Sequence, residues 1–194
     1  MEVARPSIPD SLLTGWRETE SSVKKLFDAR VVSVHAHTVV YEDADLREQL
    51  RSETGIDHQW RFAVAARLAL RPRTEPSGPL TSLVADRAHD GFADRLADRG
   101  LTGIRQTGET EREIDGETAR EASYEALCRL DTVSVRTTGR VAVRPTEDAY
   151  LLVGGAYPTA VRSGTDEATV DAVEARLDTD RFDSELDELI AGVE

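Results

Sequence analysis

The sequence predicts an α+β domain, a mainly antiparallel sheet with helices packed on it, from three observations. Two segments before residue 72 alternate with period two, and a long amphipathic helix follows them. An Asp-Gly dipeptide then sits between further alternating segments, ahead of two terminal helices.

Residues 1–30 carry no clear pattern. Pro6 and Pro9 interrupt their start, and Leu12, Leu13 and Trp16 suggest a short helix within Ile8 to Phe27. From Val31 onward the chain reads as one domain, residues 31–194. Val32, Val34, Ala36, Thr38 and Val40 alternate with Ser33, His35, His37, Val39 and Tyr41, which is a strand. Asp43 to Ser52 is polar and reads as a short helix or excursion ending near Gly55. Trp60, Phe62, Val64, Ala66, Leu68 and Leu70 then take every second position, the strongest strand signal in the chain. Pro72, Pro76, Ser77, Gly78 and Pro79 end it.

Leu80, Leu83, Val84, Ala88, Phe92 and Leu96 recur at spacings of three and four, so residues 80–99 form an amphipathic helix that stops at Arg99 and Gly100. Ile104 to Ile114 and Glu117 to Leu130 flank Asp115-Gly116, which supplies the positive φ angles of a tight hairpin turn. Val133, Val135, Val141 and Val143 share a face of the next strand. Asp148 to Tyr157 follows with apolar residues on both faces and is expected to be covered on both sides. Thr165 to Leu177, with Asp166 and Glu167 at its positive end, and Phe182 to Ala191 are the closing helices.

The phrases LxxLVADxxxxGFADxLxxxG (Leu80 to Gly100), IDGETAREASYEA and DAYLLVGGAYP, in this order of elements, resemble the PsbP-like fold, and more particularly uncharacterised haloarchaeal proteins of that pattern. The resemblance covers residues 31–177. It implies an α/β/α sandwich and a non-catalytic, accessory or partner-binding role. It carries over no site residues, and fold alone does not fix function.

Composition narrows the function. The formal charge over 194 residues is −13, and Lys24 and Lys25 are the only lysines among 24 cationic side chains. Carboxylate excess with Arg in place of Lys resembles the style of salt-in halophilic archaea, because molar salt shortens the screening length to about 3 Å and removes the cost of self-repulsion. Residues 165–194 hold eleven acids against Arg176 and Arg181, a solvated helix surface on this reading, so nucleic-acid binding there is not expected. The lone Cys128 excludes an intrachain disulfide and a Cys-based zinc cage. No signal segment or membrane span is evident, which points to the cytoplasm, and no cofactor is implied.

Candidate sites are few. His35 and His37, two apart on a strand, face one way and can chelate a divalent metal if a third ligand such as Tyr41 or a carboxylate joins them, the basis of a metal-dependent enzyme. Otherwise they lie on a polar strand face, with His58 and His89 unplaced. Arg61, Arg67 and Arg71 on one strand and Arg136, Arg140 and Arg144 on another form a cationic patch for anions or nucleic acid if the strands share a face. Glu121 and Glu125 could instead pair with them across the ladder. Gly154 and Gly155 lack a phosphate-loop spacing and suit a bulge or close packing. Asp178, Asp180 and Asp183 fail as a calcium loop because Phe182 and Asp183 stand where a ligand and a Gly belong. Cys128 reads as core, and no carboxylate falls inside an apolar stripe. The expectation is a non-enzymatic domain that binds a protein partner or a small ligand.

Overall fold

The computed structural model describes residues 3–29 and 32–194, which build a seven-stranded, wholly antiparallel sheet and four α-helices. Val31, where the first alternating segment was placed, lies outside these described residues. The strands are β1 (Trp16–Ala29), β2 (Val32–Asp43), β3 (Phe62–Arg71), β4 (Leu101–Ile114), β5 (Glu117–Arg129), β6 (Val133–Pro145) and β7 (Ala149–Gly164). The helices are α1 (Ala44–Thr54), α2 (Gly78–Asp98), α3 (Glu167–Arg176) and α4 (Thr179–Gly192). In the order β1-β2-β3-β7-β6-β5-β4, helix α2 carries the chain from the middle of the sheet to its far edge, and the meander β4 to β7 returns to pair with β3. This is the α+β class that the alternation predicts.

One expectation fails. The segment read as a short helix is a single 3-10 turn at Asp10–Leu13, followed by the fourteen-residue edge strand β1. Bulges between Glu18 and Glu20 and between Lys25 and Phe27 shift its register, so its apolar residues do not keep a period of two. Elsewhere local chemistry sets the boundaries. Asp115 (φ 55°) and Gly116 (φ 79°) make the primed turn between β4 and β5. Asp43, Asp166 and Asp178 each accept a backbone N–H at the start of α1, α3 and α4.

Strand register assigns the two faces. Phe62, Val64, Ala66 and Leu68 of β3 and Val135, Val141 and Val143 of β6 lie on the face that α2 covers. Phe92 of α2 sits there between Phe62 and Tyr124, with ring centroids 6.4 and 5.6 Å away. The opposite face receives α4, whose Phe182 packs 6.3 Å from Tyr157, while α3 packs on β7 and on α1. Fully burying Phe182, Leu186 and Ile190 contributes about 2 kcal/mol each to holding α4 down. Strand β7 is thus covered on both sides, as its two apolar faces require. Its Gly154 and Gly155 serve close packing: a Cβ on Gly154 would come 2.5 Å from the Arg140 carbonyl oxygen, and one on Gly155 would strike the Phe62 carbonyl oxygen and crowd Leu186 of α4.

Candidate functional site

The arginines of β3 and β6 do share a face, and α4 closes over it. Arg61, 2% exposed, lies between the rings of Trp16 and Phe182, each 4.6 Å away, and donates to Glu185 (2.5 Å), Asp43 (3.2 Å) and the Phe182 carbonyl (3.2 Å). Arg140 donates to Glu121 (2.7 Å), Asp183 (2.8 Å) and Asp187 (2.9 Å). Arg144 donates to the Val193 carbonyl (2.8 Å) and pairs with Asp115 (3.0 Å). Arg67 pairs with Asp148 at 2.7 Å. Arg71 and Arg136 sit half-buried on the same face, away from α4's contacts. Four of the six arginines are therefore paired with acids, and three of those acids, Asp183, Glu185 and Asp187, are ones that the sequence assigned to a solvated helix surface. Asp183, Glu185 and Asp187 point at the sheet because α4's apolar stripe places them beside the guanidinium groups.

Two carboxylates also depart from expectation. Glu42 and Glu121 are buried, although no acid was expected inside an apolar stripe. Burial pushes the Glu42 carboxyl up, but donors from Arg17 and Arg47 outweigh it and hold the group below its ordinary value. Glu121 accepts from Arg140 and faces Arg112 at 3.6 Å. Both are engaged in ion pairs. The cross-strand pairing expected for Glu121 with Arg140 is present, and Glu125 pairs instead with Arg105 at 2.9 Å.

His35 and His37 share a face, as their spacing predicts, and the register of β2 with β3 makes it the face of Arg67. His37 donates from Nδ1 to the Val3 carbonyl at 3.0 Å and has Ser21 Oγ 3.2 Å from Nε2, while His35 Nε2 lies 3.2 Å from Ser33 Oγ. Tyr41 turns its hydroxyl to Arg5. Among the described residues no group of three or more His, Cys, Asp or Glu side chains is placed to hold a metal ion.

A pairing that the sequence did not reveal joins Cys128 Sγ to His58 Nε2 at 3.2 Å. Burial pushes the thiol up to about 11 and the imidazole below its usual value. Both shifts disfavour the charged forms, and the thiol is placed to donate to the imidazole. The adjoining cavity measures about 20 Å³, room for one water.

The open concavity lies on the other face. Between α2 and the β1–β3 half of the sheet runs a groove of about 310 Å³. Its floor is Thr38, Val64, Ala66, Leu68 and Leu152, one wall is Ala88, Gly91 and Phe92 of α2, and Leu26 of β1 closes the far side. Arg87, Asp90, Asp94 and Arg95 stand at its rim, and Arg95 lies 3.7 Å from Glu20. Among the described residues Arg87 has no hydrogen-bond or ion-pair partner. Small side chains at Ala66, Ala88 and Gly91 make the space. An apolar trough with a few charged groups at its lip is the usual form of a small-molecule site.

A family model described as a domain of unknown function, DUF6517, matches residues 5–194. The chain belongs to the DUF6517 family. Comparison with curated proteins finds no match. Among solved structures, the DUF6517 domain is similar to the solution structure of cyanobacterial PsbP (CyanoP) from Synechocystis sp. PCC 6803, with 14% identity over 98% of this chain and 91% of that one and a TM-score of 0.42. Among the described residues no helix is long and apolar enough to cross a membrane. The groove of the DUF6517 domain escaped sequence reading because its floor and walls come from five separate elements. The one local signal was Gly91, a costly residue inside an otherwise regular helix.

Proposed function

We propose that this chain is a single-domain, non-enzymatic binding module whose ligand is a small molecule with an apolar body and a polar end, seated between α2 and the sheet. The observation that carries this reading is the groove of about 310 Å³, with an apolar floor and, at its lip, Arg87, which has no partner among the described residues. That volume lies at the lower end of the usual range for small-molecule sites and suits a short aliphatic chain. On the opposite face Arg61, Arg67, Arg140 and Arg144 are paired with carboxylates, and burial disfavours charge on both Cys128 and His58, which supports binding over catalysis. The lone cysteine, the −13 charge and the near-replacement of Lys by Arg support a salt-rich cytoplasm, as in a halophilic archaeon.

The test is calorimetric titration with two ten-carbon probes of opposite head charge, decanoate and decylamine, against the wild type and a Gly91→Leu variant. A Cβ at Gly91 would meet nothing within 4 Å, so Leu there reaches over the groove without a clash and improves the helix. The expected result is binding of at least one probe, weakened about tenfold or more by Gly91→Leu. Binding of neither probe, or equal binding by the variant, contradicts the reading.

A further inference from the structure

The sheet leaves two edges open, and their sequences differ in kind. The outer edge β4 carries Glu109, Glu111 and Glu113, so antiparallel pairing with a second β4 about Glu111 sets glutamates against glutamates. Strand β1 is divided instead: Glu18 and Glu20 precede Ser21-Ser22, and Lys24 and Lys25, the chain's only lysines, follow. Between its two bulges, Glu20 to Lys25 runs in unbroken register with β2. Val23 and Leu26 on this strand are 48% and 50% exposed, two of the most exposed large apolar side chains among the described residues.

We propose that β1 pairs antiparallel with the β1 of a second copy, about a two-fold axis at Ser22, joining the two sheets edge to edge in a dimer. Antiparallel partners must share orientation, so opposed residue numbers sum to an even value. About Ser22 that sum is 44, which sets Glu20 against the partner's Lys24, and Lys24 against the partner's Glu20. Glu20 and Lys24 lie on the α2 face, opposite Val40 and Ala36 of β2. Lys24 has no partner among the described residues, and Glu20 is half-exposed, with Arg95 at 3.7 Å and Ser22 Oγ at 3.1 Å. Lysine on an edge strand ordinarily discourages pairing. A second copy reverses that effect by bringing an acid to each Lys24, while its backbone satisfies the free N–H and C=O groups between the bulges. The contact is short, so the dimer is weak and populated only above about 100 µM.

Sedimentation equilibrium in 0.5 M KCl from 10 µM to 1 mM, with folding checked by circular dichroism, tests this. The wild type should approach twice 21.3 kDa at the top of the range. Glu20→Lys and Lys24→Glu should each remain monomeric, since each opposes like charges, and their equimolar mixture should dimerise, since it opposes unlike ones. A wild type that stays monomeric at 1 mM, single variants that dimerise as well as the wild type, or a mixture that stays monomeric overturns the proposal.

Discussion

Replacing Arg140 by Met removes the donor that three carboxylates share beneath α4. The cost follows from where each acid is left. Asp183 and Asp187 have side chains 51% and 47% exposed and can turn to water, so each lost bond costs only about 0.5 kcal/mol. Glu121 is 6% exposed and keeps only Arg112, at 3.6 Å, so it stays as a poorly compensated buried charge. Breaking a buried pair in this way costs roughly 3–5 kcal/mol, and the residual Arg112 contact puts the expected total near 3 kcal/mol. For a chain of this size that lowers the melting temperature by about 6–12 °C. The assay is urea unfolding followed at 222 nm. The double variant Arg140→Met with Glu121→Met leaves no stranded charge and should recover to within about 1 kcal/mol of the wild type. A single variant within 1 kcal/mol of the wild type, or a double variant no better than the single, refutes the reasoning that the buried Glu121 depends on Arg140.

Two further outcomes follow from the charges. Glu42 is held below its ordinary carboxyl value, so the stability it contributes is complete above the unfolded value of about 4.3 and is lost as pH falls through the lower folded value. The melting-temperature gap between wild type and Glu42→Gln should therefore be widest at pH 6 and close toward pH 2, and a gap independent of pH contradicts the assignment. Raising KCl from 0.1 M to 2 M should raise the melting temperature by screening the −13 charge, and a fall would reject the halophilic reading.

How much of this was legible depends on what each residue faces. β3 is flanked by strands on both sides and covered by helices, so its alternation is strict and its sequence gives it away. β1 has one neighbour, and two bulges break its period, so WRETESSVKKLFDA reads as no element at all. The period-two rule put Arg61, Arg67 and Arg71 on one face of their strand and Arg136, Arg140 and Arg144 on one face of theirs, since side-chain direction is local, and left open whether the two faces coincide. What covers that face is not local. Asp183, Glu185 and Asp187 lie some forty or more residues from Arg140 and over a hundred from Arg61, and nothing within α4 distinguishes a carboxylate facing a guanidinium from one facing water. The groove is hidden for the same reason. Leu26, Thr38, Ala66, Gly91 and Leu152 are unremarkable each in its own segment and make a site only when the sheet order brings β1, β2, β3 and β7 side by side beneath α2.

The central claim is that the ligand binds on the α2 face of the sheet, since α4 covers the opposite face around Arg61, Arg140 and Arg144. Amide chemical-shift mapping of the labelled protein during titration with decanoate and decylamine locates any contact residue by residue. The expected shifts cluster at Thr38, Ala66, Leu68 and Gly91, with Arg140, Asp183 and Asp187 unmoved. Shifts centred on Arg61, Arg140 and α4 would mean that the helix opens and that the arginine face is the binding surface, contradicting the claim.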